Sequence, residues 1–139
     1  MSKQYHSLQQ IQTDLSIGKL HLQELVQHYL DEIAATKDLN IYVEVFEQEA
    51  LERADKLEQK EADKRGKLFG MVMAIKDVLC YENHQVTAAS KILQGFTSPY
   101  SATAIQRLLE EDAIIIGRVN CDEFAMGSSN ENSLSLIHI

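Results

Sequence analysis

The chain has 139 residues, 45% of them hydrophobic and 24% charged, and its 21 acidic against 13 basic side chains leave a formal net charge of −8. That is the make-up of one ordinary soluble domain, or of a piece of a larger one. It does not suit a surface that neutralises phosphates by itself, so any RNA partner would be gripped by another chain.

Ser7 to Ser16 is predicted as a short helix with Leu8, Ile11 and Leu15 on one side, stopped near Gly18, because glycine accepts the left-handed cap conformation. Leu22, Leu25, Val26, Tyr29, Leu30 and Ile33 recur at helical spacing and form one apolar stripe. In "NIYVEVF", 40–46, the residues Ile41, Val43 and Val45 alternate with Tyr42, Glu44 and Phe46, which predicts a strand with one wet face. The segment 47–64 is charge-rich with Ala50, Leu51, Ala54 and Leu57 on one side, an exposed helix lying on a core. "KRGK" then makes a turn.

After Gly66 the pattern changes. "LFGMVMAI", 68–75, is apolar on both alternating faces, as for a strand covered on both sides. A helical pattern returns over 102–110 with Ile105, Leu108 and Leu109, just after Pro99. "AIIIGRV", 113–119, reads as a second buried strand. Strand, crossover with helix, strand is the grammar of an α/β fold: N-terminal helices followed by the first strands of a mixed, mainly parallel sheet. The connection 77–100 is long and weakly patterned, and such length often marks function.

No stretch approaches the ~18 apolar residues of a membrane span. "MSKQYHSLQQ" has no apolar signal-peptide core. Cys80 and Cys121 form neither a metal-ligand spacing nor a disulfide framework. These points favour a reduced, cytoplasmic compartment.

Lys76 ends the apolar run 71–75, and two readings compete. Strands often end on a lysine that simply reaches solvent. In an open α/β sheet, however, ligands bind beyond the carboxyl ends of the strands. A lysine held there away from bulk water loses solvation of its charged form, and the neutral amine can act as a base toward a hydroxyl. Asp77 would oppose this by favouring the ammonium, unless it points to the other side. His6, His21, His28 and His84 are scattered without ligand spacing, so no metal site is expected. "GSSNENS", 127–133, is a loop composition placed shortly after a strand. Cys121 has no partner histidine and reads as an inert thiol.

"GMVMAIKD", "ASKIL", "YSATAIQRL" and "EDAIIIGRVNCDEFAMGSSNENS" together resemble the amidase signature family. Within it they look most like the branch that supplies the A subunits of the aspartyl/glutamyl-tRNA(Asn/Gln) amidotransferases. The resemblance spans about Leu8 to Ser133, and "DEFAMGSSNENS" is its most specific part. It implies a mixed-sheet α/β fold and a Ser–cis-Ser–Lys triad in which Lys76 matches the lysine. Met126, Gly127, Ser128 and Ser129 match a segment lining the family's substrate site. The implied reaction is hydrolysis of glutamine to supply ammonia. The implied assembly is a heterotrimer with B and C subunits. The B subunit would hold ATP and Mg and most of the tRNA contact, and the C subunit would join the other two. This chain itself would need no cofactor. It departs from the family in lacking a proline before the lysine, and in carrying Val78 where Asn usually follows Lys-Asp.

The family's Gly-Ser-rich motif with both triad serines has no counterpart here. Residues 1–133 are therefore expected to be the N-terminal part of a single amidase domain, inactive alone. "LSLIHI", Leu134 to Ile139, matches one translated frame of a transposon-end sequencing adapter and is expected to be an artefact. The competing readings are a free-standing amidase of the same family and a non-catalytic α/β interaction module.

Overall fold

The computed structural model describes residues 5–129 and Ser133; the segment 134–139, and with it the expectation of an adapter-derived tail, lies outside the described residues. Helix α1 spans Leu8–Ser16, α2 Leu22–Ala35, α3 Glu47–Glu58 and α4 Thr103–Glu110. Strand β1 is Tyr42–Val45, β2 Val72–Lys76 and β3 Ile114–Val119. They form a three-stranded mixed sheet in the order β1-β3-β2, with β2 parallel and β1 antiparallel to β3. The α/β expectation holds, and the β2–α4–β3 unit is the predicted crossover.

The helix ends follow from local chemistry. Ser7 caps α1 by accepting the Gln10 backbone N–H at 3.2 Å, which satisfies one of the orphan donors of the first turn. Gly18, at φ +68°, turns the chain after α1, and the Lys19 N–H reaches back to the Asp14 carbonyl at 2.9 Å. The two helices that follow each bury one stripe: Leu22, Leu25, Val26 and Leu30 of α2, and Ala50, Ala54 and Leu57 of α3.

Alternation along β3 divides the core in two. Ile114 and Ile116 face a cluster with Ile11 of α1 and the stripes of α2 and α3. Ile115 faces the opposite side, with Ile75 of β2, Ile105 of α4 and Phe46. Successive strand side chains point to opposite faces, so a central strand covered on both sides must be apolar throughout. Each fully buried isoleucine contributes roughly 1.5–3 kcal/mol by leaving water.

Two details differ from the sequence reading, and a third decides what it left open. β2 begins at Val72, because Leu68–Gly70 is a turn held under α1: Gln12 Nε2 donates to the Lys67 and Phe69 carbonyls at 3.0 Å each. Among the described residues β2 lies at the edge of the sheet, with Ile75 buried and Val72, Met73 and Ala74 half-buried. The wet face of β1 is its aliphatic one: Ile41, Val43 and Val45 are exposed, while Phe46 is buried and Tyr42 half-buried. Gly117 explains the choice of face, which the alternation leaves open. A Cβ there would come within 2.7 Å of the Glu44 carbonyl oxygen and 2.9 Å of the Tyr42 ring, so its absence lets the aromatic lie across β3.

Candidate active site

Lys76 is the last residue of β2 and pairs in register with Val119 of β3. It therefore stands at the carboxyl edge of the parallel pair, where ligands of open α/β sheets bind. The lysine is exposed among the described residues. The withdrawal from water that would favour a neutral amine is therefore not provided by them.

Asp77 resolves the conflict raised by its position beside the lysine. Its backbone N–H extends the ladder to the Val119 carbonyl at 3.0 Å. Its side chain is fully buried, and the carboxylate is engaged. Oδ1 accepts the Thr87 N–H at 3.1 Å, and Oδ2 accepts the Ala89 N–H at 3.2 Å and the Thr87 hydroxyl. The Arg118 guanidinium lies 3.5 Å from Oδ1. One residue ends the strand in solvent, and the next anchors the crossover beneath it.

That anchor shapes the first part of the connection 77–100. Ala88 and Ala89 sit at φ +48° and +52°, a left-handed conformation unfavourable for L-residues. They are kept there by the Asp77 carbonyl, which accepts the Ala88 N–H at 2.8 Å, and by its carboxylate. Ser90, also fully buried, donates its hydroxyl to Glu123 at 2.6 Å. The Phe124 N–H donates to the Ala88 carbonyl at 2.8 Å. Phe124 and Ala125 are themselves left-handed, at φ +52° and +58°. Two loops that leave the carboxyl ends of β2 and β3 are thus stitched together, and both carry backbone held in sparsely populated regions. Such strain clusters where structure over-determines a functional loop.

Met126, Gly127, Ser128 and Ser129 follow in the second loop and are exposed. Gly127 is pressed against Asp122: an added Cβ would lie 2.5 Å from its carboxylate oxygen. These residues share the carboxyl edge with Lys76. A groove of about 440 Å³ lies apart from them, between α2 and β1, lined by Leu30, Ile33, Ile41 and Val43 among others.

Charge is arranged close by. Burial pushes the Cys121 thiol above its usual range, and the Asp77 carboxylate adds to this while the Lys76 ammonium opposes it. That fits an inert thiol. Burial also pulls the Arg118 guanidinium below its ordinary value, against Asp77 and Glu44, which hold it charged. Arg118 Nη1 donates to the Leu79 carbonyl at 2.9 Å. Thr87, Ser90, Arg118 and Glu123 carry no pattern that sets them apart in the sequence. The run "TAAS", small residues inside a long connection, is the one visible hint. Among the described residues no group of three or more His, Cys, Asp or Glu side chains is placed to hold a metal ion. No described helix is long and apolar enough to cross a membrane.

Built around this parallel β–crossover–β unit, the chain belongs to the amidase family: the family model described as Amidase matches residues 24–137. Among curated proteins it is similar to the A subunit of the glutamyl-tRNA(Gln) amidotransferase of Prosthecochloris aestuarii, at 49% identity over 132 residues that cover 94% of this chain and 28% of that protein. The corresponding protein of Chlorobium phaeobacteroides is 45% identical, covering 93% and 28%. The chain thus spans about 28% of the length of these relatives. Among solved structures, the native peptide amidase of Stenotrophomonas maltophilia superposes with a TM-score of 0.77 at 29% identity, covering 85% of this chain and 25% of that one. A chain from the vestigial complex connected with the origins of an s-triazine catabolic enzyme superposes with a TM-score of 0.83 at 27% identity, covering 92% and 29%.

Proposed function

We propose that this chain is the N-terminal part of the glutamine-hydrolysing subunit of a glutamyl-tRNA(Gln) amidotransferase. The observation that carries the reading is the identity of 45–49% with curated A subunits of that enzyme, against 29% for the solved peptide amidase. The position of Lys76 at the carboxyl edge supports it, because a base must sit where substrate enters.

In the proposed reaction neutral Lys76 takes a proton, through a bridging serine, from a nucleophilic serine. That serine attacks the side-chain amide carbon of glutamine, the proton taken up by the lysine passes to the departing nitrogen, the carbon–nitrogen bond breaks, and ammonia leaves. Water then releases glutamate from the acyl-enzyme. Both serines belong to a Gly-Ser-rich motif that these 139 residues do not contain. Met126, Gly127, Ser128 and Ser129 would line the substrate site. Ammonia would pass to a partner B subunit that uses ATP and Mg to amidate mischarged tRNA, with a C subunit joining the assembly in the cytoplasm.

The test is a glutaminase assay on the protein extended through a serine motif. Lys76→Ala is expected to lower turnover by about 10²–10⁴-fold, the usual contribution of a positioned base. The 139-residue chain is expected to show no turnover above its own Lys76→Ala control. Hydrolysis of other amides with glutamine ignored would favour a free-standing amidase. Lys76→Ala without effect in the extended protein would leave a non-catalytic module as the reading.

A further inference from the structure

The loop after β2 and the loop after β3 are joined at separate points. One join is made by backbone: the Phe124 N–H donates to the Ala88 carbonyl at 2.8 Å. Another is made by side chains: the Ser90 hydroxyl donates to Glu123 Oε1 at 2.6 Å. Ser90 is fully buried, so its hydroxyl needs an acceptor within the protein, and Glu123 supplies it. Ser90 Oγ in turn accepts the Ile92 N–H at 3.3 Å. A single bond between two loops is a pivot. A second bond, displaced from the first, removes the rotation about it.

The Ser90–Glu123 bond holds strained backbone on both sides. On the Ser90 side Ala88 and Ala89 are left-handed, at φ +48° and +52°, and on the Glu123 side Phe124 and Ala125 are, at φ +52° and +58°. Residues in such conformations persist only where their surroundings over-determine them. Released at one point they relax, so loss of the bond displaces the loops rather than merely softening them. The two loops also lead to the two halves of the candidate site. The first is anchored on Asp77, next to Lys76, through Thr87 and Ala89. The second runs from Glu123 into Met126, Gly127, Ser128 and Ser129. Both reach Cys121: Lys76 acts electrostatically on its thiol, and the Ala125 N–H donates to it.

We propose that Glu123 is a positioning residue: acting through Ser90, it sets where Met126, Gly127, Ser128 and Ser129 stand relative to Lys76. This role presupposes the reading above, with Lys76 as the base and those four residues as substrate lining. Substrate held by the lining still binds when the Ser90–Glu123 bond is lost, but it sits displaced from the base. A reacting geometry misplaced by a fraction of an ångström slows the chemical step far more than it weakens binding. The loss therefore falls on kcat, and KM stays nearly unchanged.

The experiment compares Glu123→Ala, Glu123→Gln, Ser90→Ala and the Ser90→Ala/Glu123→Ala pair in the protein extended through the serine motif. Turnover is counted per serine labelled by a fluorophosphonate, so unfolded molecules drop out. Glu123→Ala is expected to lower kcat about 10- to 100-fold with KM nearly unchanged. Glu123→Gln, whose amide oxygen also accepts the Ser90 hydroxyl, should recover most of that loss. Adding Ser90→Ala to Glu123→Ala should cost little more, as for partners in one bond. Ser90→Ala breaks the same bond from the other side and carries the test should Glu123→Ala not fold. In the 139-residue chain, Glu123→Ala should also speed amide exchange at Phe124 about five-fold relative to α2, the scale of one hydrogen bond. Per-serine kcat kept in Glu123→Ala, where Lys76→Ala loses it, would overturn the positioning role and leave the enzyme reading standing. If the amide turned over is not glutamine, the same comparison on that amide decides. An extended protein that hydrolyses no amide would sink both readings, and unchanged Phe124 exchange would sink the positioning role alone.

Discussion

Asp77 holds Thr87 twice. The Thr87 backbone N–H donates to Oδ1 at 3.1 Å, and the Thr87 hydroxyl donates to Oδ2. With Arg118 at 3.5 Å on the same oxygen as the backbone bond, this fully buried carboxylate is the fixed point from which the crossover leaves β2.

Replacing Asp77 should therefore unfold this corner. Asp77→Asn keeps the shape but leaves the 1%-exposed Arg118 as an uncompensated buried cation. Breaking a buried pair in this way costs about 3–5 kcal/mol. Chemical denaturation should show stability falling by that amount, while Lys76→Ala, at an exposed position, leaves the midpoint unchanged.

Acid should loosen the link between α4 and the turn before β2. Burial would raise the Asp112 carboxyl, but the Gly66 N–H at 2.6 Å and the Lys60 ammonium at 2.8 Å outweigh it, so its pKa lies below the ordinary carboxylate value. A depressed carboxylate contributes stability above its unfolded pKa, about 3.9, and that stability is lost as pH falls through the folded value. Asp112→Asn should lower stability at pH 7 and flatten the acid limb of a stability–pH curve. An acid limb identical in both proteins would count against the account.

Gly66 is a contact point rather than a hinge. A Cβ there would lie 2.4 Å from the Glu111 backbone carbon. Backbone cannot swing aside as a side chain can, so Gly66→Ala should cost about 1–3 kcal/mol as an overpacking substitution. Gly95→Ala meets nothing within 4 Å but sits at φ +86°, so it should cost less, about 1–2 kcal/mol of backbone strain. Paired thermal melts of the two variants would rank them.

The two cysteines should react in order of access. Cys121 is 1% exposed and its thiol is pushed up by burial, whereas Cys80 is half-buried. A chromogenic disulfide reagent should modify Cys80 first, and Cys121 only on the timescale of opening. Equal rates for both, measured on Cys80→Ser and Cys121→Ser, would contradict the burial described.

Periodicity alone located α1, α2, α3, α4 and β3, because each buries one continuous stripe or run against the core, and that demand is written at 3.6- or 2-residue spacing. It also placed Lys76 at a strand end, since an apolar run that stops at a charge is visible without a fold. The rest depended on partners distant in the chain. Whether β2 was central or an edge strand depended on which strand paired beside it. Which face of β1 turned inward depended on the missing Cβ of Gly117, a residue far along the chain that meets Tyr42 and Glu44 only in the folded sheet. That Asp77 leaves the lysine free depended on Thr87, Ala89 and Arg118 meeting at one carboxylate. A linear sequence records which groups exist; long-range pairing decides which of them neutralise one another.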